Sequence, residues 1–167
     1  MGCSASCSLF ERFASFLEWI LRSTSNKGVV EHYLDDFFMA GKAGTGDCAD
    51  LMLKFQNICK SLGVPLANEK TEGSTPILVF LGLEIDTVEM VIRIPQEKLE
   101  RARQKLLMIF NRKKATLNEL QSLVGLLNFC AKAIPSVRAF NRRFCDAMCG
   151  VKKKNHFIRV SLNMKGH

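Results

Sequence analysis

The fold is decided by the stretch VVEHYLDDFFMA, which runs from Val29 to Ala40. Two short runs of strand-favouring residues, 29–33 and 37–40, flank Leu34-Asp35-Asp36. The pattern predicts a β-hairpin with both aspartates at its tip. Adjacent carboxylates repel each other unless a cation lies beside them, and Mg²⁺ takes such hard oxygen ligands. Because Asp is also common in turns, a solvated turn is the alternative for an isolated pair.

Amphipathic elements are predicted on both sides of this hairpin. Before it, apolar residues at three- and four-residue spacing over 8–22 predict a helix packed by one face. After it, Asp47 is the predicted N-cap of a helix that stops at Gly63. The apolar run 77–85 predicts one buried strand, which turns into a second strand at 90–94.

The second half is predicted to be helical. Pro95 can open a first helix, Thr116 and Glu119 form a capping box for a second, and Ser136 caps a third. A basic linker and a further strand are expected in the tail, 151–167. The fold class is therefore α+β, with antiparallel hairpins packed on helices in residues 1–94 and an all-helical region in residues 95–150.

The charge of the chain is divided at the same boundary. Residues 1–92 carry seven Lys/Arg and twelve Asp/Glu, whereas residues 93–167 carry seventeen and four. A basic lobe beside an acidic one suits a protein that holds a phosphate backbone near a metal site. A solvated pair of basic helices is the alternative, and charge alone does not decide between them.

Composition limits the remaining classes. No apolar run approaches the ~20 residues that a membrane-spanning helix needs, and no secretory signal is recognisable. The seven cysteines lack the spacing of metal ligands and indicate reduced thiols. We expect no membrane span and an intracellular location, in cytoplasm or nucleus.

The motifs resemble, in order, those of a reverse transcriptase palm. Tyr33-Leu34-Asp35-Asp36 is similar to the family's metal-binding hairpin, and residues 2–10 to the loop and helix under the incoming nucleotide. Residues 62–71, which contain Lys70, resemble the next palm motif, and Phe80-Leu81-Gly82 the primer grip. Residues 120–136 resemble the thumb of retrotransposon polymerases. The tyrosine-recombinase group of DIRS-like and Ngaro-like elements is most similar, because its motifs resemble residues 2–7 and 32–37 of this chain.

The resemblance implies a role for each matched residue. Asp35 and Asp36 would bind two Mg²⁺ or Mn²⁺ ions in the complete enzyme, and Lys70 would stabilise the leaving pyrophosphate as a catalytic residue. Gly2, Tyr33 and Lys70 would contact the nucleotide, although Tyr33 could equally pack on the helix of residues 8–22. Phe80, Leu81 and Gly82 would grip the primer. Basic residues Arg112, Lys113 and Lys114 would contact the nucleic-acid backbone.

The implied partners are an RNA or DNA template with its primer and deoxynucleoside triphosphates. The family uses a further aspartate from an earlier palm strand, and this sequence begins at the Gly2 motif. We therefore expect the chain alone to be inactive as an RNA-directed DNA polymerase, with missing segments supplied by another chain. Two alternatives stay open. One is a non-catalytic nucleic-acid-binding remnant, and the other is a lipid-anchored interaction protein, since Met1-Gly2-Cys3 also fits N-myristoylation.

Overall fold

The computed structural model describes residues 5–161 and residue 164. The chain forms two compact units, Met1–Thr75 and Pro76–His167. The boundary between them lies before the second group of strands, so the residues 76–94 belong to the same compact unit as the helices that follow.

From residue 5 onward, the first unit contains two helices and one hairpin. Helix α1 spans Ser6–Thr24, strands β1 and β2 span Val29–Tyr33 and Asp36–Ala40, and helix α2 spans Asp47–Ser61. A single 3₁₀ turn, Asn68–Lys70, follows. The strands pair antiparallel, with Val29 opposite Ala40 and Tyr33 opposite Asp36. Both helices and the hairpin of residues 29–40 are therefore where the sequence predicts them.

One apolar core joins these elements. Leu17 and Leu21 from α1, Val30 from β1, and Leu51, Phe55 and Cys59 from α2 are all buried in one cluster. Fully burying a leucine contributes about 1.5–3 kcal/mol. This cluster therefore holds the hairpin against both helices through Val30 of β1, with Phe37 and Met39 of β2 packed beside it.

The outer face of α1 is not covered. Leu9 is 71% exposed and Trp19 64% exposed, and the Phe10 and Phe16 rings between them are also exposed. The predicted helix does pack by one face, but the described residues cover only part of its apolar stripe. Only Ala14, Leu17 and Leu21 of α1 are buried, because the stripe is wider than the surface that β1 and α2 offer.

The second unit begins with a three-stranded antiparallel meander. Its strands are β3, Ile77–Phe80, β4, Leu83–Asp86, and β5, Val91–Arg93. The prediction of one strand over residues 77–85 is wrong, because Leu81 and Gly82 both have positive φ (49° and 76°). Two successive positive φ values form the tight hairpin turn whose twist suits antiparallel strands.

Among its described residues, this unit also contains three helices and a second, small sheet. Helices α3, α4 and α5 span Gln96–Phe110, Leu117–Cys130 and Val137–Met148. Strand β6, Lys114–Thr116, lies within the region predicted to be all helical, and it pairs antiparallel with β7, Phe157–Arg159. The tail strand is thus confirmed. Ile158 and Val160 join the core that Leu120, Leu123 and other residues of α4 build with α5.

The helix starts test the capping predictions. Glu119 N–H donates to Thr116 Oγ1 (3.2 Å) and Thr116 N–H donates to Glu119 Oε2 (2.8 Å), so the capping box is confirmed. Asp47 is wrong as an N-cap, because Gly46 holds that position. Pro95 is itself the N-cap residue of α3. Ser136 holds the N-cap position of α5, but its backbone is already helical and its side chain caps nothing.

Candidate metal and nucleic-acid site

The β1–β2 turn determines how the two aspartates are presented. Tyr33 pairs with Asp36, so the turn contains only Leu34 and Asp35. The prediction that both aspartates occupy the tip therefore holds for Asp35 alone, since Asp36 is the first residue of β2. Leu34 has a φ of 54°, a left-handed conformation that costs a non-glycine residue about 1–2 kcal/mol. Backbone strain of this kind is concentrated at functional sites.

Both aspartate side chains are exposed and carry no balancing charge. Neither Asp35 nor Asp36 forms an ion pair or side-chain hydrogen bond with any residue in the described ranges. Two unit charges 4 Å apart in water repel by about 1 kcal/mol, so the pair is tolerated but not stabilised.

The donor chemistry suits a hard divalent cation, but the donor set is small. Mg²⁺ prefers carboxylate oxygens and keeps several waters, which two exposed carboxylates allow. Within residues 5–161 and 164, no group of three or more His, Cys, Asp or Glu side chains is arranged to hold a metal. The two aspartates therefore fit part of a metal site, and a complete two-metal site needs a further acidic ligand.

A cleft of about 420 Å³ lies beside the turn. It is lined by residues from the start of α1 and the end of the hairpin: Cys7, Ser8, Glu11, His32, Tyr33 and Leu34. Tyr33 is 58% exposed, so it is not packed into the core against α1. The first turn of α1 and the tip of the hairpin thus share one open depression.

His32 is the residue that sequence reasoning missed at this site. Its side chain is only 9% exposed, its Nδ1 hydrogen bonds to the Glu18 carboxylate, and its Nε2 lies 3.3 Å from Glu11 Oε1 without hydrogen-bond geometry. The ring also stacks on Phe37, with centroids 5.5 Å apart. Glu11 and Glu18 are seven residues apart, and this spacing on one helix face is the sequence signal that could have revealed the contact.

Arg22 extends this network across the hairpin. Its guanidinium is 2.9 Å from Glu18 and 2.7 Å from Glu31, and it donates to the Val30 carbonyl at 2.6 Å. The side chains of α1 thus hold β1 by charge as well as by the apolar core. Strand β1 leads directly into the turn that carries Asp35.

Lys70 ends the 3₁₀ turn and is exposed. Its backbone N–H donates to Ala67 O at 3.0 Å. Its ammonium group has no ion-pair partner among the residues described, so no contact joins it to Asp35 or Asp36. Gly2, the other predicted nucleotide contact, lies outside the described residues, as does the lipidation motif at residues 1–3.

The predicted primer-grip residues form a turn in the second unit. Phe80 ends β3, and Leu81 and Gly82 make the turn to β4. A Cβ on Gly82 would lie 2.0 Å from Lys98 Nζ, and that ammonium donates to the Gly82 carbonyl at 3.2 Å and lies 4.3 Å from the centre of the Phe129 ring. A side chain at position 82 would therefore displace the lysine and strain the turn.

The predicted backbone-contact residues differ in how their charges are used. Arg112 donates to Glu119 at 2.7 Å. Hydrogen bonds from the Thr116 backbone and hydroxyl, and then from Arg112, hold the pKa of Glu119 below its ordinary value. Lys113 and Lys114 are exposed and have no acidic partner in the part of the chain that the structure describes. Within residues 112–114, Lys113 and Lys114 therefore carry the charges that no described acid neutralises.

The chain is similar in sequence to one curated polyprotein. It is 28% identical over 160 residues to the Gag-Pro-Pol polyprotein of Human T-cell leukemia virus 3 (strain 2026ND). The aligned region covers 96% of this chain and 10% of the polyprotein. The chain thus spans about a tenth of the length of that protein. No protein-family model matches it.

The fold is similar to that of a solved polymerase. The foamy viral protease-reverse transcriptase, solved in complex with double-stranded DNA, matches 96% of this chain with a TM-score of 0.71 and 19% identity. The match covers 25% of that protein. The predicted α+β fold of helices and antiparallel sheets is therefore confirmed, and it is similar to the fold of a polymerase. The chain is thus similar in sequence to part of a retroviral polyprotein and similar in fold to part of a viral protease-reverse transcriptase.

Proposed function

We propose that this chain is part of the palm and thumb of a retroelement reverse transcriptase, and that Asp35 and Asp36 are two of its metal ligands. In this proposal residues 1–94 belong to the palm, residues 95–150 to the thumb, and residues 151–167 lead towards a ribonuclease H domain. The tyrosine-recombinase group of retrotransposons is proposed as the origin on the sequence motifs alone.

The observation that carries the proposal is the β1–β2 turn. A two-residue turn, strained at Leu34, exposes two adjacent carboxylates that no described cation neutralises. Leu81 and Met90 have similar positive φ values (49° and 54°), so the backbone strain is not special to this turn, and the pair of unneutralised carboxylates is what supports the proposal. Bound Mg²⁺ or Mn²⁺ would favour loss of the primer hydroxyl proton and balance the charge on the transferred phosphate.

The other matched residues would contact substrates. The exposed Tyr33 lines the cleft beside it and would contact the nucleotide, with Gly2 allowing close approach of the backbone. Lys70 would neutralise the triphosphate with its free ammonium group. Phe80, Leu81 and Gly82 would hold the primer end, and Arg112, Lys113 and Lys114 would contact the nucleic-acid backbone. Template, primer and deoxynucleoside triphosphates are the proposed partners.

Activity requires more ligands than the described residues supply. We propose that a further acidic ligand comes from another polymerase segment, and that the chain alone does not extend a primer in Mg²⁺. A primer-extension assay tests this part of the proposal. Robust extension that Asp35→Asn abolishes would prove the metal site complete and this expectation wrong.

Metal binding is the direct test of the turn. Titration of Mn²⁺ followed by electron paramagnetic resonance should reveal weak binding, on the order of millimolar for so few carboxylates. Asp35→Asn/Asp36→Asn should weaken binding at least about tenfold, since it removes both proposed ligands. The matched control is Asp47→Asn/Asp50→Asn, an acidic pair that Lys27 already neutralises at 3.8 and 3.5 Å. Equal loss in both variants would contradict the proposal.

A second candidate is nucleic-acid binding without catalysis. The free charges of Lys113 and Lys114 favour it, because binding to phosphates needs no metal site. It predicts binding to a primer–template duplex that weakens steeply with salt. Retained duplex binding in Asp35→Asn/Asp36→Asn, together with no Mn²⁺ binding by the wild-type chain, would favour this candidate over the polymerase.

A further inference from the structure

Strands β6 and β7 bring together two basic segments that are far apart in the sequence. Lys114 lies directly opposite Arg159, and Thr116 opposite Phe157. Side chains alternate along each strand, so Ala115 and Ile158 point into the core while Lys114 and Arg159 are exposed. The outer face of this two-stranded ribbon therefore presents two positive charges side by side.

This arrangement is unfavourable for the free protein. Like charges directly opposite each other on an antiparallel pair are destabilising. Among residues 5–161 and 164, no acidic side chain pairs with Lys114 or Arg159. Glu119, the acid nearest to Lys114 in the sequence, is already bound to Arg112 and Thr116. An anion on the ribbon would remove the repulsion.

The lysine run of residues 152–154 is held beside the same ribbon. Asn118 N–H donates to Lys154 O at 3.1 Å, and Leu117 N–H donates to His156 O at 3.0 Å. These bonds attach the run to the first turn of α4, directly after β6. Lys152, Lys153 and Lys154 are exposed. Residues 152–156 are thus held at this basic surface.

An aromatic ring interrupts this surface. Phe157 is 64% exposed, and its position opposite Thr116 leaves it on the outer face with Lys114 and Arg159. Lysines alone would be explained as protection of an exposed strand edge against pairing with other chains. An exposed phenylalanine works against such protection. Basic residues together with an exposed ring are instead typical of surfaces on which unpaired bases stack.

We infer that the outer face of the β6–β7 ribbon binds a single strand of nucleic acid. The charges of Lys113, Lys114, Arg159 and residues 152–154 contact its phosphates, and Phe157 stacks on an unpaired base. This inference extends the proposed polymerase function, for which the strand would be unpaired template. It depends on residues remote in sequence from Asp35 and Asp36, so each can fail separately.

The charge variant is Lys114→Gln/Arg159→Gln, and the matched control is Lys42→Gln/Lys60→Gln, two exposed lysines of the first unit. Binding of the full chain to a fluorescent 20-nucleotide single strand is measured by anisotropy over a range of salt concentrations. Each phosphate contact contributes about 0.7 to the slope of log K against log salt for a single strand, so the charge variant should flatten it by about 1.4. The control should leave the slope unchanged.

Phe157→Ala tests stacking separately from charge. It should weaken binding to the single strand about tenfold without changing the salt slope, and Phe157→Tyr should restore the affinity. The effect on a 20-base-pair duplex should be smaller, since its bases are not free to stack. The melting temperature of the charge variant should equal or exceed that of the wild type, because the repulsion is removed.

Two results would overturn the inference. One is a charge variant that binds the single strand as the control does. The other is a Phe157→Ala variant that weakens duplex and single strand equally. Mn²⁺ binding should be the same in all these variants, so a loss of strand binding with retained metal binding leaves the proposed function standing.

Discussion

The contact between His32 and α1 gives the sharpest prediction about the hairpin that carries the aspartates. His32→Ala removes the hydrogen bond to the Glu18 carboxylate, the approach to Glu11, and the stack on Phe37. A hydrogen bond to a charged group contributes about 1.5–3 kcal/mol, and an aromatic contact about 0.5–1.5 kcal/mol. The side chains of His32 and Glu18 are 9% and 13% exposed, so solvent screening reduces these values little.

We therefore expect His32→Ala to destabilise the hairpin by about 2–4 kcal/mol. Because Arg22 still binds Glu18 and the apolar core is intact, the loss should be local rather than global. Hydrogen exchange measured by mass spectrometry can detect this difference. Exchange in residues 29–40 should be at least about 30-fold faster, which corresponds to 2 kcal/mol.

Two comparisons make the experiment decisive. His32→Gln keeps a donor for Glu18 and loses only the ring contact, so it should cost about 1 kcal/mol. Residues 157–160 lie in the other compact unit and provide an internal reference within the same sample. Exchange in residues 29–40 that changes less than about threefold, or equally fast exchange in both segments, would refute the reasoning.

Two further predictions concern the second unit. Glu119→Ala removes the two bonds that the Glu119 carboxylate accepts from the Thr116 backbone and hydroxyl, and also the partner of Arg112, so it should lower the free energy of unfolding by about 1–2 kcal/mol in urea. Glu119→Gln keeps an acceptor for Thr116 and should lose less than half of this, and equal losses would show that these bonds contribute nothing. Acid should destabilise this unit: hydrogen bonds from the Glu89 backbone and then the Arg93 guanidinium hold the pKa of Asp86 below its ordinary value, and the pKa of Glu119 is also lowered. In the unfolded chain these carboxyl groups have a pKa of about 4, and their stabilisation of the folded state is complete above that pH. It is lost as the pH falls through the lower pKa values that the groups have in the folded state. The melting temperature should therefore drop below about pH 4, and it should drop less in Asp86→Asn, which starts lower at pH 7; a melting temperature that rises on acidification would contradict the assignment.

The elements whose signals are local could be predicted from the sequence. The capping box of Thr116 and Glu119 depends on contacts three residues apart, so the residue types and their spacing suffice to define it. The same is true of the helices α1 to α5 and of the hairpin around Leu34-Asp35. The α+β class followed from these elements, and the polymerase-like fold was expected from the resemblance of motifs such as Tyr33-Leu34-Asp35-Asp36 to those of a known family.

Local patterns gave wrong predictions at one turn and at one helix start. The run 77–85 is apolar throughout and predicted one strand, but two residues with positive φ turn the chain at Leu81 and Gly82. Asp47 has the right residue type for an N-cap, but the helix begins at Asp47 itself. Its backbone N–H donates to the Thr45 hydroxyl at 3.4 Å. The backbone conformation of Leu81 and Gly82 sets the turn, and that of Gly46 sets the start of α2.

The sequence by itself determined which segments form helices and hairpins, because neighbouring residues carry those signals. Only the tertiary structure decided what those segments meet. It brought Glu11 and Glu18 to His32, and it set Arg159 opposite Lys114 across a sheet. Such pairs are fixed by how Val30 and Ile158 each pack into the core of their own unit, and that packing depends on the whole unit rather than on any one stretch of its sequence.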